Sequence, residues 1–413
     1  MGWATHGGNV SVAAAIPDDR FDVGDAKAST TRYVLVGSFA HIICSMPLFL
    51  VGAMAVQMRA ELRFSAVALG AVISLFRLTQ AAAASVLGDV VDRIGATRSL
   101  LLAVFVIQGV CVGIATAAHS WLSLASWLCV AAVAKAMVQP AANRLIVNNV
   151  PLRRQGTAVG FKQAASPIAT MLAGLMVPAI AVTIGWRWSY VLVTVLGFFV
   201  IAFVGRPSTN RGTKLGRGRR RREPLEASGM VLWIAVAFGM GNAASSSVPA
   251  FWVDYSVVSG STPEFAGLML AAASVGAIVS RIVSGAACDR LRTGHLYLCS
   301  ALLALGSVGL LGLALTPVAF HPISVIFAQS GAWGFSAALW FTVLRAYHRT
   351  PGRITGVLAV GSLIGASLGP LVFGFLVDWA TYAVAWGVAG AGALVASVGM
   401  ALLAGSIPER SEA

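Results

Sequence analysis

Long apolar runs nearly free of charge constrain this chain more than any other feature. Tyr33–Val56, Leu100–Ala118, Trp188–Val204 and Leu296–Leu315 are such runs, each within the ~17–25 residues that cross a hydrocarbon core as a helix. A soluble chain would confine its apolar residues to one helical face or alternate them along strands. Here they are contiguous, and charged residues make up 11% of the 413, against about 25% in a soluble domain. The expected fold class is an all-α membrane protein.

Charge clusters and Gly/Pro breaks divide the chain into twelve spans. Their expected starts are near Arg32, Phe64, Arg98, Trp121, Gly156 and Trp186, then near Gly229, Glu264, His295, His321, Gly352 and Thr381. With the N-terminus inside, the inner loops hold Arg93, Arg98, Arg153, Arg154, Arg290, Arg292, Arg349 and Arg353. The outer loops hold only Arg59, Arg63 and Arg187. That bias places both termini in the cytoplasm and the chain in the cell membrane as a multi-pass protein.

The net charge of +14 is concentrated. Eight basic residues lie between Arg206 and Arg222, read as a cytoplasmic linker touching anionic headgroups. No nucleic-acid partner is expected, because no basic or aromatic-rich domain accompanies the run. The polar start, with Asp18, Asp19, Asp22 and Asp25, lacks a signal peptide's basic and apolar segments and reads as a cytoplasmic tail. Cys44, Cys111, Cys129, Cys288 and Cys299 fall within or at the ends of apolar segments at no metal spacing, so they read as small hydrophobes. No metal or cofactor is expected.

The two halves repeat each other. Gly88-Asp89-Val90-Val91-Asp92-Arg93 recurs as Gly285-Ala286-Ala287-Cys288-Asp289-Arg290, 197 residues on. Arg32 and Gly229, the first and seventh span starts, share that offset. Gly156-x3-Gly160 and Gly352-x3-Gly356 are 196 residues apart. The expected division is a tail at 1–31, six helices at 32–205, the linker at 206–228, six helices at 229–404 and a tail at 405–413. Duplicated six-helix halves suit alternating access about a shared midplane site.

The stretch Gly88-x3-Asp92-Arg93-x-Gly95-x2-Arg98, between the second and third spans, resembles the loop signature of the major facilitator superfamily. The resemblance covers roughly residues 32–404. It implies a twelve-helix secondary transporter of two pseudo-symmetric bundles. It also implies a cytoplasmic gate at Gly88, Asp92, Arg93, Gly95 and Arg98, with Gly285, Asp289 and Arg290 in the second copy, docking one half on the other. That copy departs from the pattern at Arg292, where a glycine is expected. The drug–proton antiporter pattern G-x8-G-x3-G-P-x2-G-G is absent from the fifth span. It is nearly matched in the eleventh, as Gly356-x8-Gly365-x3-Gly369-Pro370-x2-Phe373-Gly374.

Charges inside a bilayer are costly and are functional candidates. Arg77 lies 11 residues before Gly88, about 16 Å from the inner end at ~1.5 Å per residue. Lys135 is similarly deep in the fourth span and His41 lies nine residues into the first. No acid falls near the midplane. Two buried cations without a carboxylate suit an anionic visitor, and an arginine can grip a carboxylate with two bonds. His41 is a candidate proton carrier. Polar stripes at helical spacing mark cavity walls or helix contacts: Lys135, Gln139 and Asn143; Arg77 and Gln80; Gln163, Ser166 and Thr170; Gln329, Trp333, Ser336 and Trp340. Trp340 reads as packing. Asn242, Ser245–Ser247 and Pro249 suggest a helix break or cavity wall. The candidate substrate residues are therefore Arg77, Lys135, Gln139, His41, Gln163, Asn242, Gln329 and Trp333. Lys162 is expected to snorkel, Arg144 to reach headgroups and Arg281 to brace the second loop motif.

The function expected is secondary transport of a small organic anion, with proton symport, by a monomer. Multidrug or metabolite efflux is the alternative, although a cation pump should show a buried acid. A membrane enzyme would need a metal cluster, a nucleophile–base pair or paired carboxylates, and no Gly-x4-Gly-Lys-Ser/Thr stretch is present for ATP. The chain is therefore not expected to be an enzyme.

Overall fold

A computed structural model describes residues 25–150, 161–204, 229–291, 293–346 and 351–405. The expected tails, the basic linker and residues Gly156, Gly160, Arg153, Arg154, Arg292 and Arg349 lie outside them, as do the side chains of Asp289 and Arg353. The described residues are helical, with no strand. The helices are α1 (Asp25–Ala53), α2 (Ala55–Leu62), α3 (Ala66–Ile94), α4 (Ala96–Ala117), α5 (Trp121–Asn149), α6 (Ala165–Met176), α7 (Arg187–Val204), α8 (Gly229–Val258), α9 (Pro263–Arg290), α10 (His295–Leu315), α11 (His321–Ala346), α12 (Pro351–Trp379) and α13 (Tyr382–Ala404).

Among the described residues, ten helical segments are long and apolar enough to cross a membrane. Arg187–Phe203 is a shorter apolar helix, and α11 is diluted by Gln329, Ser330 and Ser336. With these two, the described residues hold twelve candidate membrane helices, consistent with a twelve-helix membrane fold. Phe105, Phe199, Trp233 and Ile282 are among the many large apolar side chains left exposed, as expected when lipid is the solvent.

Local chemistry sets the turns. Met54 interrupts the first span, so α2 is a separate short helix that ends at Arg63 with φ 52°. Ser65, Ser120, Thr262 and Thr381 cap α3, α5, α9 and α13, each side chain accepting from a backbone N–H three residues on. At the opposite end, the motif end, α3 turns into α4 at Gly95 with φ 90°. Its second-bundle counterpart is Gly294, with φ 82° before α10. The glycine that the second motif copy lacks at position 292 is thus supplied two residues later. No break occurs at Asn242–Pro249: α8 is continuous, and Ser245, Ser246 and Ser247 donate back to carbonyls one turn earlier. Such back-bonding keeps hydroxyls satisfied inside a proline-bearing helix.

Among the described residues, small residues let the bundles approach at the far end. A Cβ on Gly174 would lie 2.7 Å from the Gly267 carbonyl oxygen. One on Gly52, Gly70 or Gly374 would collide with backbone of Pro249, Pro370 or Ala66. The Gly361, Gly365 and Gly369 row of α12 lies against Ala235, Gly239 and Ala243 of α8, giving the glycine-rich eleventh span a packing role. At the motif end, a Cβ on Gly88, Gly285 or Gly356 would meet nothing within 4 Å. The buried apolar cluster follows the same division. One continuous core joins the first bundle to Val248, Phe251, Trp252, Phe373 and Trp386. Ile234, Phe238, Leu296, Leu303, Leu358 and Met400 form a separate core within the second bundle. Among the described residues, the two bundles therefore close on each other at the far end, and no such glycine contact joins them at the motif end.

Candidate functional site

Five basic groups gather inside the bundle. His41 of α1 places Nε2 3.3 Å from the Ser166 hydroxyl on α6. Its carbonyl accepts from Lys135 Nζ at 3.1 Å and from the Ser45 hydroxyl at 2.6 Å. Lys135 also donates to Ser45 Oγ. Lys135, Lys162, Arg281 and Arg77 all lie close enough to act electrostatically on His41. The acids with described side chains are elsewhere: Glu61, Asp254, Glu264 and Asp378 toward the far end, Asp89 and Asp92 at the motif end. Lys135 therefore rests on a carbonyl and a hydroxyl, without a carboxylate, and the region keeps an excess of positive charge.

Several polar atoms here have no protein partner. Arg77 forms no hydrogen bond or ion pair with the described residues, and its Nε is buried. Gln80 Oε1, one helical turn away, is buried and unpaired, as are His41 Nδ1 and both amide atoms of Gln329. Buried polar atoms are normally satisfied, so these atoms hold unused hydrogen-bonding capacity. Trp333 meets Phe49 of the first bundle, ring centres 6.2 Å apart, and donates to the Ser245 carbonyl at 3.3 Å.

Two expectations about basic residues, those for Lys162 and Arg281, are corrected. Lys162 does not snorkel: it is 1% exposed and donates to Asn143 Oδ1 at 2.5 Å. Arg144 pairs with Asp92 at 2.5 Å, tying the loop motif to α5 of the same bundle. Arg281 does not brace the second motif. Its Nε donates to the Trp333 carbonyl at 3.1 Å, Nη2 to Ser336 Oγ at 3.2 Å and Nη1 to the Gln163 carbonyl. Its guanidinium lies 5.1 Å from the centre of the Trp333 ring.

The remaining candidates divide. Gln163 enters the site through its carbonyl, and the side chain of Gln139 makes no hydrogen bond with described residues. Asn242 donates to the Phe238 carbonyl of its own helix at 3.0 Å, so one of its two amide N–H donors is spent locally. Trp340 packs edge-on against Phe238 at 5.6 Å. Arg93, Arg98 and Arg290 stay at the motif end, far from His41. The sequence signal for Lys162 and Arg281 was their place within apolar helices. Their depth relative to a loop motif concealed it.

The far end is fastened by charges. Arg59 on α2 pairs with Asp254 on α8, and Tyr382 of α13 donates to the same carboxylate oxygen. Asp378 of α12 accepts from the backbone N–H groups of Ala66 at 3.2 Å and Val67 at 2.9 Å, where the helix dipole of α3 favours an anion. Ser74 donates to the Ser367 carbonyl. Within the first bundle, Arg187 pairs with Glu61 and holds its carboxyl below the ordinary value of 4.5.

The fold has known counterparts. The crystal structure of a D-xylose–proton symporter matches with a TM-score of 0.77 at 13% identity, covering 93% of this chain and all of that one. A bacterial homologue of the human lysosomal transporter Spinster, inward-facing and unoccupied, matches with a TM-score of 0.67 at 15% identity over 93% and 96% of the two chains. The inward-open xylose transporter XylE from E. coli matches with a TM-score of 0.72 at 12% identity over 90% and 95%. No curated protein sequence matches. At these identities the structures establish the fold alone. The family model of the Major Facilitator Superfamily matches residues 37–370, and the chain, a multi-pass membrane transporter by fold and by sequence, belongs to that superfamily.

Proposed function

We propose that this transporter carries a small organic anion between its two bundles. Residues 32–205 rock against 229–404 in alternating access. The observation that carries the reading is four cations, Arg77, Lys135, Lys162 and Arg281, around His41 without an acid among them. Arg77 has unused donors and supplies the charge-assisted grip. Lys135 holds its place through His41 and Ser45 and adds attraction for the same group. Trp333, Gln80, Gln163 and Gln329 shape the remainder of the site.

The motif end faces the cytoplasm in this reading, from the arginine bias of the loops, so the conformation described is open inward. Both termini are cytoplasmic, the protein works as a monomer in the cell membrane, and the basic linker rests on anionic headgroups. An anion entering a cell does so against an inside-negative potential, and a cotransported proton offsets its charge. His41, touching Lys135 through its carbonyl and Ser166 through its ring, is the group placed to register that proton.

The test is uptake into proteoliposomes loaded with each of a panel of small carboxylates, sugars and lipophilic cations, with and without an inward proton gradient. Counterflow of a carboxylate, accelerated by the gradient and lost in Arg77→Gln, is expected. Counterflow confined to sugars or cations overturns the anion reading, and indifference to the gradient overturns proton coupling.

A further inference from the structure

We infer that Arg281 is a positioning residue that joins the two bundles on their inner side by capping a carbonyl that proline has orphaned. In α6 and the turn before it, Pro167 has no N–H, so the carbonyl of Gln163, four residues earlier, has no helical donor. A carbonyl left so inside a membrane protein needs a partner from elsewhere. Arg281 Nη1, from α9 of the other bundle, is that partner.

The same arrangement holds the other side of the guanidinium. Pro249 of α8 orphans the Ser245 carbonyl in the same way, and Trp333 Nε1 takes it at 3.3 Å. Trp333 in turn offers its carbonyl to Arg281 Nε at 3.1 Å and its ring face to the guanidinium at 5.1 Å. Ser336 fixes Nη2 at 3.2 Å. The arginine is thus clamped in the second bundle by three contacts to α11, with one arm left for the first bundle. A fork of fixed N–H donors suits this task where a lysine's single ammonium would not.

Depth gives the contact its consequence. Among the described residues, the other hydrogen bonds between the bundles are Arg59 to Asp254, Asp378 to the start of α3, and Ser74 to Ser367. All three lie toward the outer end. Arg281 is 18 residues into α9, about 27 Å from its outer end at ~1.5 Å per residue. It therefore limits how far the inner ends separate while the outer ends stay closed.

The experiment removes the bond from each side. Arg281→Gln takes away the donor. Pro167→Ala supplies an N–H that recaptures the Gln163 carbonyl, and leaves the charge and the Trp333 stack of Arg281 untouched. Spin labels at Asn148→Cys and Leu291→Cys, on the inner ends of α5 and α9, report the separation by pulsed electron resonance, with Cys129 replaced by serine. Each single variant is expected to lengthen the mean distance, and the double variant to match the singles. An unchanged distance in either single variant, or additive lengthening in the double, overturns the assignment.

Discussion

The Asp254 carboxylate on the second bundle is paired with the Arg59 guanidinium on the first, and Tyr382 donates to the same oxygen. The pair is partly sheltered, with the aspartate side chain 6% exposed and the arginine 25%. Asp378 closes a second bond at the same end, on the N–H groups that begin α3. In the proposed alternating access, opening the far end must break both. Hydrogen bonds to charged groups contribute about 1.5–3 kcal/mol, roughly a 10- to 100-fold change in population. Arg59→Gln, Asp254→Asn and Asp378→Asn are each expected to speed amide hydrogen exchange by that factor in segments 55–68 and 376–384. Unchanged protection in all three variants contradicts a latching role.

Glycine placement gives a steric test of the same asymmetry. A side chain at Gly70 collides with Pro370, whereas one at Gly88 meets nothing. Overpacking costs about 1–3 kcal/mol. Ser74 is buried beside this contact. In Gly70→Leu, a cysteine placed at Ser74 is expected to react faster with a membrane-impermeant thiol reagent added outside, and Gly88→Ala is expected to leave its rate unchanged. Equal rates in both variants would mean that the outer seam does not depend on this approach.

Much of this architecture was legible in the sequence because lipid imposes a simple rule. Spans must be long and apolar, so the starts expected near Phe64, Arg98 and Trp121 fall beside the observed Ala66, Ala96 and Trp121. The separate helix α2 escaped notice because its break at Met54 lies within an apolar run. Arg77, Lys135 and His41 were identifiable because charge or a titratable ring in a helix interior is rare. Lys162 and Arg281 were misread because one-dimensional depth does not say which face a side chain occupies. Their acceptors, Asn143 Oδ1 and the Gln163 carbonyl, are fixed by helix pairing and by a proline that frees a carbonyl for another helix.

Lys135 sets function against stability. It is 6% exposed and has only a carbonyl and a hydroxyl as partners. Burying a charge without a counter-charge is costly, and an apolar replacement of similar volume can be stabilising. Lys135→Met is expected to raise the melting temperature by the equivalent of about 1 kcal/mol and to abolish stabilisation by anions. A variant that is destabilised yet still responds to anions contradicts the role assigned to this lysine.

The Glu61–Arg187 pair predicts a modest acid sensitivity. Arg187, helped by the Trp186 N–H at 2.6 Å, keeps the Glu61 carboxyl below its ordinary value. A depressed carboxylate contributes stability above its unfolded-state value, and that contribution disappears as pH falls through the lower folded-state value. The glutamate is 48% exposed, so the pair contributes about 0.2–1 kcal/mol. Between pH 6 and about pH 3 the melting temperature is expected to fall slightly more in the wild type than in Glu61→Gln. Parallel slopes would remove the pair from the acid response.

Binding of an anion by a site of four cations without an acid is the central claim, and ligand-induced thermal stabilisation tests it most directly. A ligand that binds only the native state raises the melting temperature in proportion to ln(1 + [L]/Kd). Purified protein in detergent is titrated with small carboxylates, inorganic anions, neutral sugars and lipophilic cations, beside Arg77→Gln. The account predicts saturable stabilisation by a carboxylate that disappears in Arg77→Gln. Stabilisation by sugars or lipophilic cations alone, equal in both proteins, would contradict it.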